Sequence, residues 1–80
     1  MNTDDVLDRA KQIYETRLKA DLERTHMHSF VAIEPDSGDY FLGDTLSEAG
    51  EKADTVYPDR CTAILRVGHR ATVHIGASQA

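Results

Sequence analysis

Apolar and polar positions change their pattern three times along this 80-residue chain. From Asp4 to Arg24, the apolar positions Val6, Leu7, Ala10, Ile13, Tyr14, Leu18 and Leu22 recur at three- and four-residue steps. That spacing predicts an amphipathic helix whose stripe must pack on its own sheet or on a second copy. Asn2 or Thr3 can cap it, and Asp4 and Asp5 put negative charge on the first turn, where the helix dipole favours it. Lys11, Glu15, Lys19 and Glu23 stand at ion-pairing spacing on the other side. His26-Met27-His28 ends the pattern.

Beyond it comes an apolar stretch with strand character, broken by a turn. Ser29 to Glu34 reads as a strand, Pro35-Asp-Ser-Gly-Asp39 as a turn in which Gly38 takes positive φ, and Tyr40 to Leu42 as the return strand. Thr45-Leu-Ser-Glu48 has capping-box spacing and opens a second helix, with Leu46, Ala49, Ala53 and Val56 on one narrow face. Pro58 ends it near Tyr57. Gly50 weakens this helix by about 1 kcal/mol relative to alanine, so it implies a close neighbour or sheltered packing.

Cys61 to Ile75 reads as a second hairpin. A three-residue loop of Gly68, His69 and Arg70 places Val67 opposite Ala71, Leu65 opposite Val73 and Ala63 opposite Ile75, giving one continuous apolar face. The opposite face carries Thr62, Ile64, Arg66, Thr72 and His74, and Gly76 to Ala80 forms a frayed polar tail. The predicted fold is therefore α+β in the order α-β-β-α-β-β, a single domain with an antiparallel or mixed four-stranded sheet. Both helices are expected on one face, with a partly apolar face left open.

Composition narrows the function classes. A chain of this size builds one small core and its single cysteine allows no internal disulfide, so a homodimer is expected. Cys61, read as a buried structural thiol, suits a reducing compartment. The acidic start is unlike a secretory leader and no apolar run reaches membrane-spanning length, so the expected location is the cytoplasm of a bacterial cell, with no membrane partner. The net charge is −5, and residues 29 to 60 carry eight acids against Lys52 and Arg60. Nucleic-acid binding needs clustered Lys and Arg, which this block lacks, so no nucleic-acid partner is expected.

No set of residues forms a convincing reaction centre, so no catalytic residue, cofactor or metal ligand is assigned. Asp36-Ser37-Gly38 has the form of an aspartic-protease turn, but Glu34 and Pro35 interrupt the strand before it, and a hairpin turn explains it better. His26 and His28 lack a third ligand for zinc, and helix-ending histidines need no metal. Arg66, His69, Arg70 and His74 make up the positive cluster of the second half, suited to an acidic partner segment or to the chain's own acidic middle. Tyr40 and Phe41 have opposite parity, so one is left uncovered unless a further layer exists. These six residues are the candidate partner-binding set.

The stretch Phe30-Val-Ala-Ile-Glu-Pro-Asp-Ser-Gly-Asp-Tyr-Phe-Leu-Gly-Asp-Thr45, with Pro58 and Leu65-Arg-Val-Gly68, resembles a family of short uncharacterised bacterial proteins. These share a VAI-x3-(S/T)G-x-Y-x2-G-(D/E) hairpin and a C-terminal RVG strand. The shared positions are those of turns and packing, so the resemblance implies no activity. Such proteins are often encoded beside small proteases or in toxin and antitoxin modules, which implies partner binding. The expected function is a non-enzymatic protein-interaction module, antitoxin-like or accessory to a partner. The competing class is a metal-dependent or minimal enzyme using histidines and an acid.

Overall fold

A computed structural model describes residues 3–69 and 73–77, with side chains described for residues 5–69. Helix α1 spans Thr3–Ile13, passes directly into a wider π-helical segment at Tyr14–Leu18, and continues as α2 over Lys19–Thr25. Strands β1 (Phe30–Ile33) and β2 (Tyr40–Gly43) form the first hairpin, α3 covers Leu46–Val56, and β3 (Cys61–Arg66) pairs with β4 (Val73–Ala77). The sheet order is β2-β1-β3-β4 and every pairing is antiparallel.

The π-helical segment has a simple origin in the sequence. Four-residue steps from Val6 through Ala10, Tyr14 and Leu18 to Leu22 over-rotate an α-helix by about 40° each, so the stripe would wander off the sheet. A turn closed by longer hydrogen bonds, here Lys19 N–H to Tyr14 C=O, absorbs one extra residue and brings Leu22 back to the core. The expected single helix is thus one continuous rod with a wide turn at its middle. It begins at Thr3; Asn2 lies outside the described residues. Of the expected side-chain ion pairs along it, Lys19 meets Glu15 at 3.4 Å.

Both predicted hairpins form. Ala63 lies opposite Ile75 and Leu65 opposite Val73, as the alternation requires. The Val67 and Ala71 pairing, with Arg70 and Thr72, falls outside the described residues. The last strand runs to Ala77, so Gly76 and Ala77 belong to the ladder, opposite Thr62 and Cys61, and not to a tail. Gly38 has φ +80°, and Thr45 Oγ1 accepts the Glu48 N–H at 3.1 Å as the capping box demands.

The helices lie on opposite faces of the sheet, which corrects the expectation that they share one. Val31, Ile33, Ala63, Leu65 and Val67 pack with Val6, Ala10, Tyr14 and Leu22 of the N-terminal rod. Ala32 and Ile64, at the alternate positions, pack with Ala49 and Ala53 of α3. Because β1 lies between β2 and β3, the β2–α3–β3 connection crosses over one face of the sheet, and the face expected to stay open is covered. The second layer also takes in Phe41, while Tyr40 on the first face stays exposed.

Small residues permit that close approach. A Cβ on Gly43 would lie 2.5 Å from the Ala49 backbone nitrogen, and one on Gly50 would lie 3.3 Å from Ile64 Cδ1. Cys61 is exposed, contrary to expectation, because the ladder with β1 covers only Ala63 to Arg66 and the strand's first residue projects past it.

Glu34 is 1% exposed, and the first hairpin explains why. Its carboxylate accepts the backbone N–H groups of Asp36 at 2.9 Å and Ser37 at 3.0 Å, and meets Arg60 Nη1 at 3.3 Å. Asp36 itself is held by Arg9 and Arg60 at 3.1 Å each, which gives this Asp-Ser-Gly turn a structural role.

Glu34→Ala should cost about 2–4 kcal/mol, since it removes two charge-assisted bonds from a buried carboxylate to the turn; urea denaturation checks this. Gly43→Ala should destabilise by about 1–3 kcal/mol through overpacking against the α3 backbone, read in the same assay.

Candidate functional site

The wide turn that realigns the stripe also fixes the position of one polar group. Tyr14 is the first residue of the π segment and is 8% exposed, and its hydroxyl reaches across to the end of β3. There the hydroxyl accepts the Gly68 N–H at 3.3 Å and donates to Glu23 Oε2 at 3.0 Å. Burial raises the Tyr14 pKa above the ordinary tyrosine value of 10.0; the Gly68 bond opposes this and the Glu23 carboxylate adds to it. The phenol therefore stays protonated, a structural clasp between helix and sheet and not a base.

Around this clasp lies a cleft of about 390 Å³ lined by Lys11, Glu15, Lys19, Glu23, Arg66 and His69 over a floor of Tyr14, Leu65 and Gly68. Its charges are not equivalent. Glu15 is paired with Lys19, and Glu23 accepts the Tyr14 hydroxyl while keeping its charge, so Lys11 and Arg66 leave the cleft a small positive excess.

The far wall is held by backbone. His28 N–H donates to the Val67 carbonyl at 3.1 Å, and Val67 N–H donates to the Ser29 carbonyl at 2.8 Å. Arg66 Nε donates to the His28 carbonyl at 3.1 Å, and its guanidinium lies 5.2 Å from the centre of the Phe30 ring. Arg66 is thereby aimed by a cation–π contact and a carbonyl, with part of its fork left facing the cleft.

Of the six residues singled out in the sequence, the structure brings Arg66 and His69 together in this cleft. Arg70 lies outside the described residues, and His74 is described only in its backbone, opposite Ile64. Tyr40 and Phe41 lie on β2, separated from β3 by β1, so they do not belong to the same surface. Phe41 is half-buried beneath α3, edge-on to Tyr57 with ring centres 6.2 Å apart. Sequence reasoning missed Tyr14, Glu23, Lys11 and Lys19. Their four-residue spacing was readable, but the wide turn that brings them to the end of β3 follows only from the sheet's demand on the stripe.

Among the described residues, no three His, Cys, Asp or Glu side chains gather as metal ligands, and no helix is long and apolar enough to cross a membrane. No family model, curated protein or solved structure matches the chain. The likeness of its hairpins to short bacterial proteins therefore rests on the quoted residues alone.

Tyr14→Phe should lower stability by about 0.5–1.5 kcal/mol, because the Gly68 N–H and the Glu23 carboxylate lose their shared partner. Its pH dependence has a definite sign. With the folded pKa raised, unfolded Tyr14 ionises first, so the native protein should lose stability as pH climbs past the ordinary tyrosine range. Urea midpoints measured against pH should show a shallower alkaline loss in the Phe variant.

Proposed function

We propose that this chain is a protein-interaction module that receives an acidic segment of a partner in the cleft between the N-terminal rod and the end of β3. The observation that carries the reading is the charge contrast. In a chain of net charge −5, the cleft gathers Lys11, Lys19 and Arg66 against Glu15 and Glu23, a local excess of one positive charge. Opposite charge gathered in a concave site favours a carboxylate-rich ligand and speeds its encounter. The biological role we attach to it is that of a non-enzymatic accessory protein, antitoxin-like, in a bacterial cytoplasm.

Dimerisation takes a different form from the one the stripe suggested. The stripe is spent on the chain's own sheet, so the acidic flank of a second copy, with exposed Glu51, Asp54 and Asp59, becomes the route by which a homodimer would form. The enzyme alternative gains no support from the clasp, since a protonated phenol is a poor base.

Calorimetric titration with a hexaglutamate peptide provides the test, run beside sedimentation of the protein alone. Binding that weakens roughly tenfold or more in both Lys11→Glu and Arg66→Glu, and falls with added salt, is the expected result. Lys11 is an exposed helical residue, so its reversal keeps the test valid should Arg66→Glu unfold the protein. A silent titration with a monomer at every concentration would overturn the reading.

A further inference from the structure

At the rim of the cleft, two imidazoles from segments 41 residues apart meet with their planes tilted by 56°. His28 Nδ1 stands 2.8 Å from His69 Nε2, with ring centres 4.9 Å apart. The meeting is built into the backbone. His28 takes φ +73°, a left-handed conformation uncommon outside glycine, and both its N–H and its carbonyl are tied to the end of β3. A thioether lies against the residue that precedes His69. The Met27 sulfur fills the space that a Cβ on Gly68 would need, directly beside His69 in the chain.

We propose that His28 Nδ1 and His69 Nε2, with the Met27 thioether, bind a soft monovalent ion of the copper(I) class. Two neutral imidazoles at hydrogen-bond distance share one proton. Moving it to the far nitrogen of the donor ring leaves two lone pairs converging on one point, with no net proton released. Both rings are exposed, so they can rotate apart to admit an ion with metal–nitrogen bonds of about 2 Å. Imidazole with thioether is a donor set that suits monovalent copper, whereas zinc takes about three or more protein ligands, and no such trio of His, Cys, Asp or Glu exists among the described residues. Charge favours the same ion. The Arg66 guanidinium bonded to the His28 carbonyl opposes a divalent cation more strongly than a monovalent one.

Silver(I) is the air-stable probe for this site. Cys61 is an exposed soft donor at the opposite end of β3, so the full chain is tested with Cys61→Ser in place. Calorimetry should show a single equivalent of silver bound, with the His28 and His69 ring resonances shifting together in NMR spectra of the folded protein. His69→Gln should weaken binding roughly 100-fold, and Met27→Leu about tenfold. Zinc at the same concentration should produce no heat. The assignment is overturned if Cys61→Ser binds no silver, if His69→Gln keeps full affinity, or if zinc binds as tightly as silver. None of these readouts involves the acidic peptide, so the metal site and the docking cleft stand or fall separately.

Discussion

Everything in this fold depends on strand β1 being buried on both faces at once. Val31 and Ile33 are fully buried against the N-terminal rod, and Ala32 is fully buried against α3. A strand covered on both sides cannot show the hydrophobic-in, polar-out alternation of a half-exposed sheet, and Phe30-Val-Ala-Ile33 has no polar residue. The large side chains of Val31 and Ile33, each contributing about 1.5–3 kcal/mol by burial, set the spacing on one side. On the other, Ala32, Gly43, Ala49, Gly50 and Ala53 let α3 approach closely. The two faces thus differ in how closely the helix approaches, with small residues on α3 and β2 admitting it where Ile64 and Phe41 fill the remaining space.

The same constraint reaches the candidate site through the rod. The sheet offers the helix a straight seam, while four-residue apolar spacing generates a drifting one, and the conflict is resolved by the wide turn at Tyr14–Leu18. A buried tyrosine at the head of that turn must satisfy its hydroxyl, and it does so on Gly68 and Glu23. The helix is thereby tied to the far end of β3, with the cleft bounded by the two. Core geometry and site geometry are one solution to one packing problem.

Much of this was legible in the residues themselves. The hairpin register at Leu65 and Ala63, the positive φ of Gly38 and the Thr45 cap each follow from local rules that need no knowledge of the rest of the chain. The side taken by α3 did not follow, because parity says which residues share a face and not which helix covers it. Ile64, read as part of an outer face, is buried because α3 passes over it, and Thr62 on the same face is buried too. The exposure of Cys61 was hidden for a related reason. Its parity is that of Ala63 and Leu65, but burial depends on how far the neighbouring strand extends. Arg66 and His69 were found by charge alone, whereas Tyr14 looked like one more apolar residue in a stripe.

The edge strand β2 bears on why its side of the sheet is a poor surface for a partner. Four residues long, β2 is the kind of short edge that offers a poor template for added strands. Lys52 of α3 reaches over to donate to the Leu42 carbonyl at 2.7 Å, occupying an acceptor and placing a charge on that edge. Tyr40 is exposed there, but its neighbour Phe41 is turned under α3 and the turn before it carries Asp36 and Asp39. Acids on the hairpin and a lysine across its edge oppose flat association at this side of the sheet. The proposed recognition by charge at the other end, where the rod and β3 leave a concave surface lined by Lys11 and Arg66, meets no such barrier.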